Sequence, residues 1–151
     1  MPRTHESLID TLTRVARSAD RRLMVEAAVV LLLVRVALWT LPYATVRRLL
    51  GRIDLHRHAS SDELVSRVAR VVTSVARRIP LRMTCLVEAL AAQAMLRRRG
   101  RDSVVRFGVR GRADRATTIE SHAWLEHDGA VIVGRIDDLR EYAVLNSARR
   151  V

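Results

Sequence analysis

The stretch Thr84-Cys85-Leu86-Val87-Glu88-Ala89-Leu90-Ala91-Ala92-Gln93-Ala94-Met95-Leu96-Arg97-Arg98-Arg99-Gly100 decides how this chain is read. Threonine is a good N-cap, because its hydroxyl can accept from a backbone N–H that the first helical turn leaves unpaired. Leu86, Val87, Leu90, Ala91, Ala94 and Met95 then recur at helical spacing. Three arginines suit the negative end of the helix dipole, and Gly100 supplies a stop. Beyond Gly100 the period changes from helical to alternating. Val104, Val105, Phe107 and Val109 predict a strand, residues 111–118 a polar loop, and residues 119–127 a second strand. Asp128-Gly129 is a two-residue hairpin signal, with residues 130–133 as the returning strand. A helix followed by antiparallel strands predicts an α+β domain.

Working back from Thr84, Pro80 ends a preceding helix near Ile79, because the residue before proline avoids the helical conformation. That helix carries Leu64, Val65, Val68, Val71, Val72 and Val75, and Ser60 with Glu63 has the form of a capping box at its start. Further upstream, Leu8, Leu12, Val15 and Ala16 mark an amphipathic helix over 6–19. Asp20 is placed to cap a second helix over 23–41, which Pro42 interrupts. A short helix over 44–50 is expected to end with Gly51 in the left-handed conformation. The expected organisation is a helical N-terminal region, 1–59, ahead of a core over 60–151.

Hydrophobic residues make up 49% of the 151 but aromatics only 3%, so the core has to be built from Leu, Val, Ile and Ala. All 27 basic residues are arginine and the formal charge is +11, which suits an acidic protein, a nucleic acid or an anionic membrane surface. The scattered aromatics do not interleave with the arginines as a base-stacking platform requires, and no nucleic-acid partner is expected. One cysteine makes no internal disulfide, so a reducing cytoplasmic setting is expected, and residues 1–22 are too charged for a secretory signal. His56 and His58 lack the further ligands of a structural zinc site, and no metal or cofactor is expected. Residues 27–34 form an unbroken apolar run. It is too short to span a bilayer, and Glu26 and Arg35 flank it, which leaves a buried helix, a partner surface or contact with the inner membrane face.

Chemistry centres on Cys85. Free backbone N–H groups at a helix start stabilise a thiolate and can donate to an oxyanion, although a lone cysteine is more often a small buried hydrophobe. His122 is the candidate base. Strand alternation puts it on one face with Glu120, Trp124 and Glu126, and puts Ile119, Ala123 and Leu125 on the other. Glu120 and Glu126 read as exposed strand carboxylates rather than as an acid/base pair.

Residues 78–93, 96–100 and 107–110, followed by Ser121-His122-Ala123-Trp124-Leu125-Glu126 and Asp128-Gly129, resemble the transglutaminase-like cysteine peptidases of lasso peptide biosynthesis. The apolar helix, Pro42 and residues 47–51 resemble that family's N-terminal part, so the likeness covers about 24–145. It implies a papain-like/transglutaminase-like fold whose helical N-terminal part packs on a small antiparallel sheet. It also implies removal of the leader from a ribosomally made precursor peptide by a stand-alone peptidase. A separate leader-recognition protein would deliver the precursor, and an ATP-dependent, asparagine-synthetase-like cyclase would act on the liberated core.

By the same resemblance Cys85 is the nucleophile and His122 the general base. Many members carry an aspartate where this chain has Gly134. A straight hairpin would put Arg135 opposite His122 and Asp137 on its face one step further. Asp137 is therefore the expected third member, with Asp138 or a backbone carbonyl as alternatives. Other readings are acyl transfer of the transglutaminase or amidase type, and a nonenzymatic basic adaptor for a membrane or an acidic partner.

Overall fold

A computed structural model describes residues 4–53, 61–111 and 119–145, with side chains from residue 19 onward. Among these, four helices precede an antiparallel sheet: α1 (Thr4–Thr40), α2 (Tyr43–Gly51), α3 (Asp62–Arg78), α4 (Cys85–Arg97), β1 (Val104–Gly111), β2 (Ile119–His127), β3 (Ala130–Val133) and β4 (Ala143–Leu145). The sheet order is β3-β2-β1-β4, so the hairpin partner β3 lies at one edge and β4 at the other.

α4 is apolar around nearly its whole circumference, and a helix of that kind has to be enclosed. It is: Ala89, Leu90, Ala91, Ala92, Met95 and Leu96 are fully buried between α1 and α3 on one side and β2 on the other. α3 supplies Val65, Val68, Val72 and Val75 to the same core, the sheet supplies Val105, Leu125 and Val133, and α1 supplies Leu23, Ala27, Leu31 and Val34. The N-terminal helix therefore completes the core from outside α3 and α4.

α1 is one continuous helix, not two. Asp20 does not cap a new segment: it sits within α1, where its carboxylate accepts from Arg67 Nε at 2.8 Å and ties α1 to α3. Glu26 does the same to the end of α4, pairing with Arg98 at 3.2 Å and Arg99 at 2.6 Å. The outer face of α1 is also apolar, and it is exposed: Val25, Val29, Leu33 and Val36 are at least half accessible, and Trp39 is 88% exposed. The apolar run thus serves the core with one face only.

Two local expectations shift. Gly51 is the last helical residue of α2 and is not left-handed, and Arg52 closes the helix instead. The N-cap of α3 is Ser61, which makes no side-chain capping bond; Ser60 lies outside the described residues, as do His56, His58 and the loop over 112–118. The end of α3 at Ile79, the Thr84 cap and the Asp128-Gly129 turn all fall where expected, the turn with φ of 47° and 79°.

Candidate active site

Thr84 is extended, and its Oγ1 accepts from the N–H of Val87 at 3.4 Å while its carbonyl accepts from Glu88 at 3.1 Å. Cys85 is thereby fixed as the first residue of α4. The amides of Cys85 and Leu86 have no carbonyl four residues back inside the helix and point out of its start. Cys85 is half-buried, so it is not sealed in the core.

β2 runs beside this helix start and brings His122 to the same groove. The groove holds about 870 Å³, and Tyr43, Cys85, Leu86, Phe107, His122 and Leu145 are among the residues that line it. Tyr43 meets Phe107 edge to face at 5.3 Å between ring centroids, forming an apolar wall. Burial raises the Tyr43 hydroxyl above its ordinary value, and Arg47 opposes this.

His122 is held on three sides. Its ring stacks near Trp124, with centroids 6.2 Å apart and planes at 19°, and lies 5.8 Å from the tilted ring of Tyr142. Its Nε2 is 2.7 Å from the carbonyl oxygen of Gly134. A carbonyl only accepts, so Nε2 must carry the proton, and in the neutral ring Nδ1 keeps the lone pair. A backbone carbonyl therefore occupies the place where an aspartate would orient the imidazole.

Asp137 is not brought to His122. β2 and β3 pair as Glu126↔Val131 and then Leu125↔Val133, so Ile132 is the extra residue of a bulge. The strand then stops, and the chain turns at Gly134 with φ of 80°. A straight continuation opposite His122 does not exist. Arg135 and Asp137 are exposed and line a separate depression beside Trp124 and Glu126. Asp138 is also elsewhere engaged, paired with Arg110.

Two glycines make the close packing around His122 feasible. Gly108 is paired across the strands with His122 and with Val144, and a Cβ there would lie 2.8 Å from Tyr142 Cβ and 2.9 Å from Trp124 Cζ3. At Gly134 a Cβ would lie 2.8 Å from the Ala123 carbonyl oxygen.

Around this centre the acidic strand residues are paired rather than free. Glu126 accepts from Arg106 Nε and from Trp124 Nε1, both at 2.9 Å. Glu120 accepts from Arg110 Nε at 2.8 Å. Arg110 also pairs with Glu141 at 3.0 Å and lies 4.8 Å from the centroid of the Tyr142 ring, so one guanidinium braces the segment that follows Gly134. Hydrogen bonding to Glu120, foremost, pushes Arg110 further above its already high value.

Glu88, one turn beyond Cys85, is a member of this neighbourhood that the sequence reading passed over. Burial raises its carboxyl above the ordinary value, against the opposing charges of Arg77 and His122. Its spacing of three from Cys85 was the available signal.

The described residues contain no group of three or more His, Cys, Asp or Glu side chains able to hold a metal ion. No curated protein and no solved structure matches the chain. The family model described as the transglutaminase-like superfamily matches residues 28–147, from within α1 past β4 and across both Cys85 and His122. With that match over most of its length and an α+β fold to accord with it, this chain belongs to the transglutaminase-like superfamily, whose members are generally cysteine peptidases and acyltransferases.

Proposed function

We propose that this protein is a cysteine peptidase that removes the leader from a lasso peptide precursor. The observation that carries the chemistry is the shared groove of Cys85 and His122, with the Nε2–H of His122 committed to Gly134. The reading of the substrate rests on the sequence resemblance.

The imidazole Nδ1 takes the thiol proton of Cys85, and the sulfur adds to the carbonyl carbon of the scissile peptide bond. The amides of Cys85 and Leu86, directed out of the helix start, suit the oxyanion that forms. As the C–N bond breaks, the imidazolium returns its proton to the departing amine, which becomes the new N-terminus of the core peptide. A water, deprotonated by the same Nδ1, then splits the thioester. The leader leaves with a carboxylate, and the thiol is restored.

A separate leader-recognition protein would present the precursor, and an ATP-dependent, asparagine-synthetase-like cyclase would consume the new amine. The setting is cytoplasmic, with peripheral contact to the inner membrane face. That contact is supported by the exposed apolar face of α1 together with exposed Arg35, Arg47 and Arg48, whose charge complements anionic headgroups. Purified protein, precursor and recognition protein, with products weighed by mass spectrometry, test the reaction. Loss of a mass equal to the leader supports it; an amine adduct without cleavage replaces it with acyl transfer.

A further inference from the structure

Away from the catalytic groove, α3 presents a polar stripe. Ser66, Arg70, Thr73, Ser74, Arg77 and Arg78 recur at intervals of three and four on the side of the helix turned from Val68, Val72 and Val75. This stripe is one wall of a depression of about 640 Å³ whose other wall is Val131 and Ile132 of β3. Among the described residues β3 is the outermost strand on this side, and its outer edge carries backbone N–H and C=O groups without a ladder partner.

Among the described residues the groove thus combines a free strand edge, three guanidiniums and three hydroxyls, and none that line it is acidic. Arg70 and Arg78 are exposed, and Arg78 donates to Ser74 Oγ. From Ser66 to Arg78 the helix rises about 18 Å. That is the length of an extended segment of about five residues.

We propose that this groove binds an extended acidic segment of the peptide substrate, remote from the scissile bond, which adds as a strand to the free edge of β3 and sets its carboxylates against Arg70, Arg77 and Arg78. A second copy of this chain fits poorly, since a two-fold edge pairing would bring the same arginines together. A single-stranded nucleic acid also fits poorly, because among the described residues no aromatic side chain lines the groove for base stacking. Burial raises the Glu88 carboxyl, and Arg77 in this wall opposes the rise, as His122 in the catalytic groove does. The assignment to substrate rests on the peptidase reading, whereas the acidic preference of the groove does not.

The test uses full-length Cys85→Ala protein and a fluorescein-labelled octapeptide alternating glutamate and valine, followed by anisotropy. Saturable binding is expected that weakens with salt and falls at least about tenfold in Arg70→Glu/Arg78→Glu, with Arg70→Gln/Arg78→Gln between. The lysine–valine counterpart should not bind. N-methylation of alternate backbone nitrogens should abolish binding in one register and spare it in the other. Equal affinity for the two peptides, or for the parent and charge-reversed proteins, overturns the proposal, and equal effects of the two methylations overturn the strand pairing. With active protein, the acidic peptide should raise KM for precursor cleavage and leave kcat unchanged. Binding without such competition overturns the assignment to substrate, and binding by a wild-type protein that cleaves no precursor overturns the peptidase reading while the acidic groove stands.

Discussion

His122 Nε2 donates to the carbonyl of Gly134, and Gly134 can offer that carbonyl only because it has no side chain. At φ of 80° any other residue is strained, and a Cβ would press on the Ala123 carbonyl at 2.8 Å. Gly134→Ala should cost about 2–4 kcal/mol of stability, from left-handed strain and overpacking together. Urea denaturation measures it. Gly134→Asp, which supplies the aspartate that the sequence resemblance implies at this position, should be no more active than Gly134→Ala, because the backbone that orients His122 is displaced first.

Gly108 is the second constraint on the same ring. A methyl there meets Tyr142 Cβ and the Trp124 ring, the two groups that flank His122. Gly108→Ala should lower stability by about 1–3 kcal/mol. It should also reduce kcat more than it changes KM, and steady-state kinetics on the folded variant distinguishes this from simple unfolding.

The Thr84 cap, the α4 pattern, the strand pair and the Asp128-Gly129 hairpin were legible because each depends on residues a few positions apart. The third orienting group was not. The extra residue Ile132 has no signature in an apolar strand, yet it ends the register that would have carried Arg135 to His122. Asp20 likewise looks like a cap to any local reading, and only Arg67, 47 residues away in sequence, explains its place inside a helix. β4 was missed because three exposed residues, Ala143–Leu145, show no alternation to detect.

Glu88 gives a pH signature. Its carboxyl is raised in the folded protein by burial, so the folded state binds a proton more tightly than the unfolded chain. Stability should then be greatest below the ordinary value of 4.5 and decline as pH rises from there through the raised folded value. Glu88→Gln should flatten that decline. Urea midpoints between about pH 4 and 7 check it, and a decline of unchanged steepness in the variant would assign the effect to other groups.

The outer face of α1 should bind vesicles containing anionic lipid and ignore neutral ones. Trp124 is buried at 3% exposure and Trp39 is at 88%, so a blue shift of tryptophan emission on binding reports Trp39. Trp39→Phe should abolish the shift and weaken sedimentation with the vesicles. An unshifted wild-type spectrum with the protein left in the supernatant would remove the membrane contact from the account.

The central claim is that the Cys85 thiol, assisted by His122, cuts a peptide bond. Precursor and recognition protein incubated with wild type, Cys85→Ala, His122→Ala and the double variant, with products quantified by mass spectrometry, test it most directly. Leader release should fall at least about a thousandfold in each single variant and no further in the double, since the two groups act as a unit. Leader release by Cys85→Ala at the wild-type rate would contradict the account.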